Sequence, residues 1–252
     1  MNTKLTIVVP NYNEKENLER GVLDQMNTYL KGVKYSWEVI ISDDGATDGS
    51  REMAEEFAKK HSGFRVLVNK HGGKAAAVWS GIKAAKGEIV LFTDMDQSTP
   101  LKEVDKLLPW FDKGFDVVFG SRGHGRENFN VLRQITSWGF RTIRSLFLLR
   151  HVNDTQCGFK AFKTKTALRI FPHLGVFKTD RKSKGWTVSA FDVELLFMAE
   201  KIGSKLKEVE VNWKDEDTST NKSRNFIKES KDMLKQILQV KLNDLSGKYD
   251  QI

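Results

Sequence analysis

The feature that most constrains this chain is an alternation, over its first 120 residues, of short apolar runs with longer stretches of helical period. Leu5 to Val9 is almost continuously apolar and is stopped by Pro10, after which Glu14 to Leu30 reads as a charged helix. Trp37 to Ser42, Arg65 to Asn69, Glu88 to Thr93 and Phe115 to Gly120 read as further strands. Asp48 to His61, Gly73 to Ala85 and Pro100 to Phe111 read as the helices between them. Strands alternating with helices predict an α/β fold, a mainly parallel sheet with both faces covered. Ligands of such sheets gather beyond the carboxyl ends of the strands. Pro10–Glu14, Asp43–Asp48 and Asp94–Ser98 are therefore the loops in which to look for chemistry.

Beyond residue 120 the regular alternation is lost. Asn130 to His151 is basic, aromatic and apolar together and predicts helices; Val188 to Ile202 reads as another helix and Leu206 to Trp213 as a late strand. A polar loop, Asp215 to Arg224, precedes a charged helix from Phe226 to Leu242. There is no internal repeat or low-complexity linker. The domain reading is one catalytic body over residues 1–218, with halves 1–122 and 123–218, followed by a helical extension over 219–252.

A chain of 252 residues can bury a substantial core, and 39% hydrophobic with 29% charged residues is ordinary for a globular protein. No apolar run approaches the roughly 20 residues that span a bilayer. The N-terminus lacks the apolar segment and cleavage site of a secretory signal, so a cytoplasmic location is expected. Cys157 is the only cysteine, which excludes an intrachain disulfide and a cysteine-based zinc site, and the five histidines show no metal-ligand spacing. A net charge of +8 suggests an anionic partner. The basic residues are interspersed with acids and no nucleic-acid motif is evident, which argues against an RNA-binding module.

In Asp94-Met95-Asp96 the acids are two residues apart, so in extended chain both carboxylates point to one side and can share a ligand field. Magnesium or manganese, bound by oxygen, commonly bridges such carboxylates to substrate phosphates. Alone, the pair also reads as a helix N-cap or a solvated turn. Pro10-Asn11-Tyr12-Asn13-Glu14 offers an aromatic face and polar groups suited to a base and ribose, and Asp43 could accept a hydrogen bond from a base imide. A packing aromatic and a turn before Gly45 are the other readings. Lys70-His71-Gly72-Gly73-Lys74 comes directly before a helix, where glycine lets the backbone approach a ligand and Lys74 favours phosphate. The spacing of a P-loop is absent, and a glycine turn with a solvated lysine is the alternative.

With VVPNYNE, VIISDDGATDGS, NKHGGKAAAVWSGIKAAKGEIV and FTDMDQST in order, the first 120 residues resemble the family-2 inverting glycosyltransferases of GT-A fold. The likeness continues through Gly120-Ser121-Arg122, Asp154-Thr155-Gln156-Cys157-Gly158-Phe159-Lys160, Phe191-Asp192-Val193-Glu194-Leu195-Leu196 and Val211-Asn212-Trp213. Those stretches look like the dolichyl-phosphate β-glucosyltransferase and polyprenyl-phosphate mannosyltransferase branch, and most closely its glucosyl members. The resemblance implies that Pro10, Tyr12, Glu14 and Asp43 contact the nucleoside of a nucleotide-sugar, that Asp94, Met95 and Asp96 lie at the metal-diphosphate, and that Gln97 helps complete the metal site. It implies that Arg122 and Arg133 lie near an acceptor phosphate; surface salt bridges are the other reading. The sequence departs from the pattern in lacking a hydrophobic membrane segment and in carrying a polar insertion from Lys178 to Thr187.

A phosphate monoester is already largely a dianion at neutral pH and needs no general base. Positioning and charge neutralisation would then carry an inverting transfer to it. Asp192 reads as a base, a sugar-binding group or a helix cap. Arginines at 133, 141, 144 and 150 interleaved with Trp138, Phe140 and Phe147 suit an interfacial helix on a membrane surface, with a buried helix or a homodimer face as the other reading.

Overall fold

The computed structural model describes residues 3–123, 149, 152–177, 191–214, 216 and 226–252. The expected Arg133, the basic aromatic segment apart from Leu149, all but one residue of the 215–224 loop and the 178–187 insertion lie outside the described residues. Within them the strands are β1 (Leu5–Asn11), β2 (Trp37–Asp43), β3 (Phe64–Val68), β4 (Ile89–Phe92), β5 (Val117–Ser121), β6 (Lys160–Lys163) and β7 (Leu206–Glu210). The helices are α1 (Lys15–Glu19), α2 (Val22–Lys31), α3 (Ser50–Lys60), α4 (Lys74–Lys83), α5 (Val104–Asp112), α6 (Thr164–Ile170), α7 (Phe191–Lys201) and α8 (Phe226–Leu245).

The strands form one sheet in the order β3-β2-β1-β4-β6-β5-β7. Only β6 runs against the rest: it is antiparallel to both β4 and β5, whereas the other pairings are parallel. The expected mainly parallel α/β sheet is what forms. Alternation along each strand divides the core between the two faces. Val8, Val90, Phe92, Val117, Phe119 and Phe162 pack on the side of α4, α6 and α7. Ile7, Val9, Val39, Ile41, Leu91 and Val118 pack on the side of α2 and α5. Ile237, Val240 and Tyr249 from the C-terminal part of the chain join the first of these clusters.

Three local expectations are corrected. Pro10 does not stop β1; it lies within the strand opposite Ser42. The carbonyl of Val8 accepts a hydrogen bond from Thr93, so Val8 and, two residues on, Pro10 face the β4 side, where β4 has already ended and no N–H is needed. The single helix expected from Glu14 to Leu30 is two, because Gly21 adopts a left-handed φ of 78° between them. The strand β6 and the helix α6 that follows it had no counterpart in the sequence pattern.

Candidate active site at the carboxyl edge of the sheet

β1, β2, β4 and β5 end at one edge of the sheet, and β6, running the other way, begins there. The loops that carry acids, lysines and arginines are therefore brought together by strand direction alone.

Tyr12 leaves β1 and stacks on His71, with ring centroids 4.5 Å apart and planes inclined at 24°. His71 is set by Asp44, whose Oδ2 lies 2.9 Å from Nδ1. The same buried carboxylate accepts the N–H groups of Gly72 and Gly73 at 2.8 and 2.9 Å and so shapes the loop before α4. Asp43 is also fully buried and accepts from Asn11 Nδ2 at 3.0 Å, Gly45 N at 3.1 Å and Ala46 N at 3.3 Å. Beside it, Asn11 Oδ1 is a buried oxygen without a hydrogen-bond partner, an acceptor whose desolvation is uncompensated. Glu14 accepts from Asn17 Nδ2 at 2.6 Å within the first turn of α1.

Asp94 and Asp96 follow β4 in a turn closed by Gln97 N, which donates to the Asp94 carbonyl at 3.3 Å, so the extended chain expected for the pair is not what forms; Met95 between them is buried in the core. Asp94 pairs with Lys74 at the start of α4; their side chains are 38% and 22% exposed. Burial acts to lower the Lys74 ammonium, but the charges of Asp94, Asp192 and Asp96 outweigh it and push it well above the usual lysine range. Lys74 is thus a fixed cation among three acids. Asp96 Oδ1 accepts from Ser98 N at 2.9 Å, and its carbonyl accepts from Arg20 Nη2 at 2.6 Å. Gln97 takes a left-handed φ of 52° and donates through Nε2 to the Asp94 carbonyl at 2.8 Å. Its Oε1 is the atom with a ligand's chemistry.

No group of three or more His, Cys, Asp or Glu residues arranged to hold a metal occurs among the described residues. Two carboxylates and an amide oxygen are nevertheless the donor set that suits magnesium or manganese, which keep the rest of their shell for phosphate and water. Gly158 makes room for one of the two: a Cβ there would stand 2.7 Å from Asp94 Cγ.

Arg122, at the end of β5, makes a fork with Asp154, Nε to Oδ2 at 2.7 Å and Nη2 to Oδ1 at 2.8 Å, and its own N–H adds a third bond at 3.0 Å. Burial acts to raise the Asp154 carboxyl, but the Arg122 bonds and charge, with the N–H groups of Arg122 and Gln156, hold it well below the usual carboxylate range. The Arg122 guanidinium also lies 5.6 Å from the Trp213 ring centroid. The segment carrying Trp213 is tied to the Asp96 loop, since Lys214 N donates to the Ser98 carbonyl at 2.8 Å and Arg20 Nη1 to the Glu216 carbonyl at 2.6 Å.

Asp192, in the first turn of α7, is paired through Oδ1 at 2.7 Å with the fully buried Lys160 of β6. Sequence reasoning gave Asp192 a place but no partner, and gave Lys160, Asp154, Asp44, His71 and Arg20 no role. One signal was present: in Phe159-Lys160-Ala161-Phe162 the lysine shares a strand face with Phe162, an unusual place for an unpaired charge.

The mixed sheet, with acids, a lysine and an arginine collected at its carboxyl edge, has the GT-A architecture of nucleotide-sugar transferases. Residues 6–171 match the profile of Glycosyl transferase family 2, and the chain belongs to that family. Within it, the chain is 33% identical over 263 residues to a dolichyl-phosphate β-glucosyltransferase of Dictyostelium discoideum, covering 98% of this chain and 76% of that protein. It is 34% identical over 236 residues to a dolichyl-phosphate β-glucosyltransferase of Drosophila melanogaster, covering 86% and 68%. Among solved structures, glucosyl-3-phosphoglycerate synthase from Mycobacterium tuberculosis, in complex with Mn2+, UDP and glucosyl-3-phosphoglycerate, superposes with a TM-score of 0.62 over 95% of this chain and 80% of that one. At 19% identity that likeness speaks for the fold.

Proposed function

We propose that this protein transfers glucose from UDP-glucose, with inversion, onto a polyprenyl phosphate such as dolichyl or undecaprenyl phosphate. The observation that carries the reading is the row of charge along one edge: two carboxylates suited to a divalent cation, Lys74 beside them and Arg122 at the end of β5. The two glucosyltransferase relatives supply the sugar and the acceptor class.

In this reading Pro10, Tyr12, Glu14 and Asp43 hold the nucleoside, Tyr12 offering a ring already stiffened by His71. Lys74 and the start of α4 meet the diphosphate. Asp94, Asp96 and Gln97 hold Mg2+ or Mn2+, with the Met95 backbone between them. When bound, that cation neutralises charge on the leaving diphosphate. Arg122 has two of its nitrogens fixed by Asp154, which leaves Nη1 for an acceptor phosphate without any rotamer search. Arg133 is the second expected acceptor-phosphate group. A phosphate acceptor arrives ionised, so the chain needs only to align it. No helix among the described residues is long and apolar enough to cross a membrane. A peripheral position on the cytoplasmic face, through the basic aromatic segment, is the mode of association we infer for a lipid acceptor.

Radiolabelled transfer tests this. Incubation of the wild type with UDP-glucose, dolichyl phosphate vesicles and Mg2+ or Mn2+ is expected to label the lipid, with GDP-mannose and free saccharides giving little. Asp96→Asn is expected to lower transfer by at least about 100-fold with the fold intact. Label that reaches only a saccharide, or full metal-dependent activity in Asp96→Asn, would refute the acceptor or the site assignment respectively.

A further inference from the structure

The buried charge of Lys160 is the feature that the site described so far does not use. It lies at the start of β6, opposite Phe92 of β4 and Phe119 of β5. Both aromatics belong to the core face, and the Lys160 side chain has no exposure at all. Its Nζ donates to the Cys157 carbonyl at 2.5 Å and to Asp192 Oδ1 at 2.7 Å, and lies 5.5 Å from the Phe92 ring centroid. Withdrawing a lysine from water in this way is costly unless its Nζ is hydrogen-bonded and paired, as it is here. Asp192 is the reverse case. Its side chain is 18% exposed, and only Oδ1 is engaged; no hydrogen bond from a described residue reaches Oδ2.

Lys160, and with it Asp192, stands opposite Phe92 of β4 and Phe119 of β5, the two strands that run on to Asp94 on the diphosphate side and to Arg122 on the acceptor side. A sugar in transfer must lie between its leaving diphosphate and its incoming nucleophile. The groups a hexose shows to such a place are hydroxyls, which donate, and an ionised carboxylate only accepts.

We propose that Lys160 is a positioning residue that clamps Asp192 by Oδ1 from inside the core, so that Oδ2 is presented in one orientation as the acceptor for hydroxyls of the donor hexose. This deepens the donor half of the function proposed above and rests on it. The clamp fixes the carboxylate without a search among rotamers, as preorganised groups require. It also gives β6 a reason to begin with a lysine in an aromatic face.

Binding alone tests the clamp, without any acceptor. Calorimetric titration in Mn2+ would compare UDP with UDP-glucose for the wild type, Lys160→Met, Asp192→Asn and the double variant. UDP is expected to bind all four within about twofold, whereas UDP-glucose binds each single variant about tenfold to 100-fold more weakly, the range for a hydrogen bond to a charged group. The double variant is expected to match Asp192→Asn, because Lys160 acts through Asp192. Should Lys160→Met fail to fold, Lys160→Gln, which fills the same space without the charge, takes its place alone and in the double variant. Wild-type affinity for UDP-glucose in Lys160→Met, an equal loss for UDP and UDP-glucose, or losses that multiply in the double variant would each overturn the clamp. A wild type that binds GDP-mannose in preference to UDP-glucose would instead defeat the donor assignment, and the same four proteins titrated with GDP and GDP-mannose would then decide on the clamp.

Discussion

At the residue scale the site is a set of charges that hold one another in place before any substrate arrives. Arg122 and Asp154 make the clearest case, with side chains 16% and 10% exposed and three hydrogen bonds between them. Replacing Asp154 by Asn leaves a buried guanidinium without its counter-charge, and the expected loss is about 3–5 kcal/mol in urea unfolding. Because the folded carboxyl is held down, its contribution is complete above the unfolded value of about 3.9 and is lost as pH falls from there towards the folded value. Wild-type stability should therefore drop on that acid limb, and Asp154→Asn should flatten it in pH-dependent melts. Asp94 and Asp96 stood out in the sequence as an acid pair after an apolar run, although the turn that carries them was not readable from their spacing. Asp154 and Lys160 could not be paired that way. Their partners, Arg122 and Asp192, are each 32 positions away in sequence, and only the sheet order brings them together.

At the element scale the same contrast holds between strands that follow a period and the one that does not. The strands of the first 120 residues were legible because each is a run of apolar residues bounded by turn formers. β6 has four residues with a lysine at each end, too short and too charged to register as a core strand by pattern, although three of the four are buried. The break between α1 and α2 was hidden for the opposite reason: Gly21 sits in a sequence that is otherwise helix-compatible throughout, and its left-handed φ was not readable from period. The loop ahead of β6 is where the fold touches the metal-suited acids. Gly158→Ala places a methyl against the Asp94 carboxylate, a partly exposed side chain that can swing aside. Expected are a small change in melting temperature and a fall of about 100-fold in kcat/KM, the scale of an ångström's misplacement. Steady-state kinetics alongside thermal melts separates the two.

For the whole molecule, the C-terminal stretch is tied back to the helix that carries Asp192. Tyr249 is buried and donates to Glu194 Oε1 at 2.5 Å, while Glu194 accepts the Gly175 N–H through both oxygens, at 3.1 and 3.0 Å. Tyr249→Phe removes one donor from a buried carboxylate, a loss of about 1–3 kcal/mol, and the melting temperature is expected to fall by about 2–4 °C per kcal/mol. Helix α7 is thereby anchored through Glu194 in the same first turn that carries Asp192. The antiparallel setting of β6 reaches further than the site. Since β5 departs from the carboxyl edge at Ser121 and β6 re-enters it at Lys160 as its immediate neighbour, the chain between them begins and ends at one doorway of the sheet. A change of chain length between Gly123 and Val152 leaves the pairing of β5 with β6 as it is, because both strands meet the edge there. The doorway is thus a natural junction for building chimaeras, with joints placed so that Asp154 and Gly158 stay with the sheet they serve.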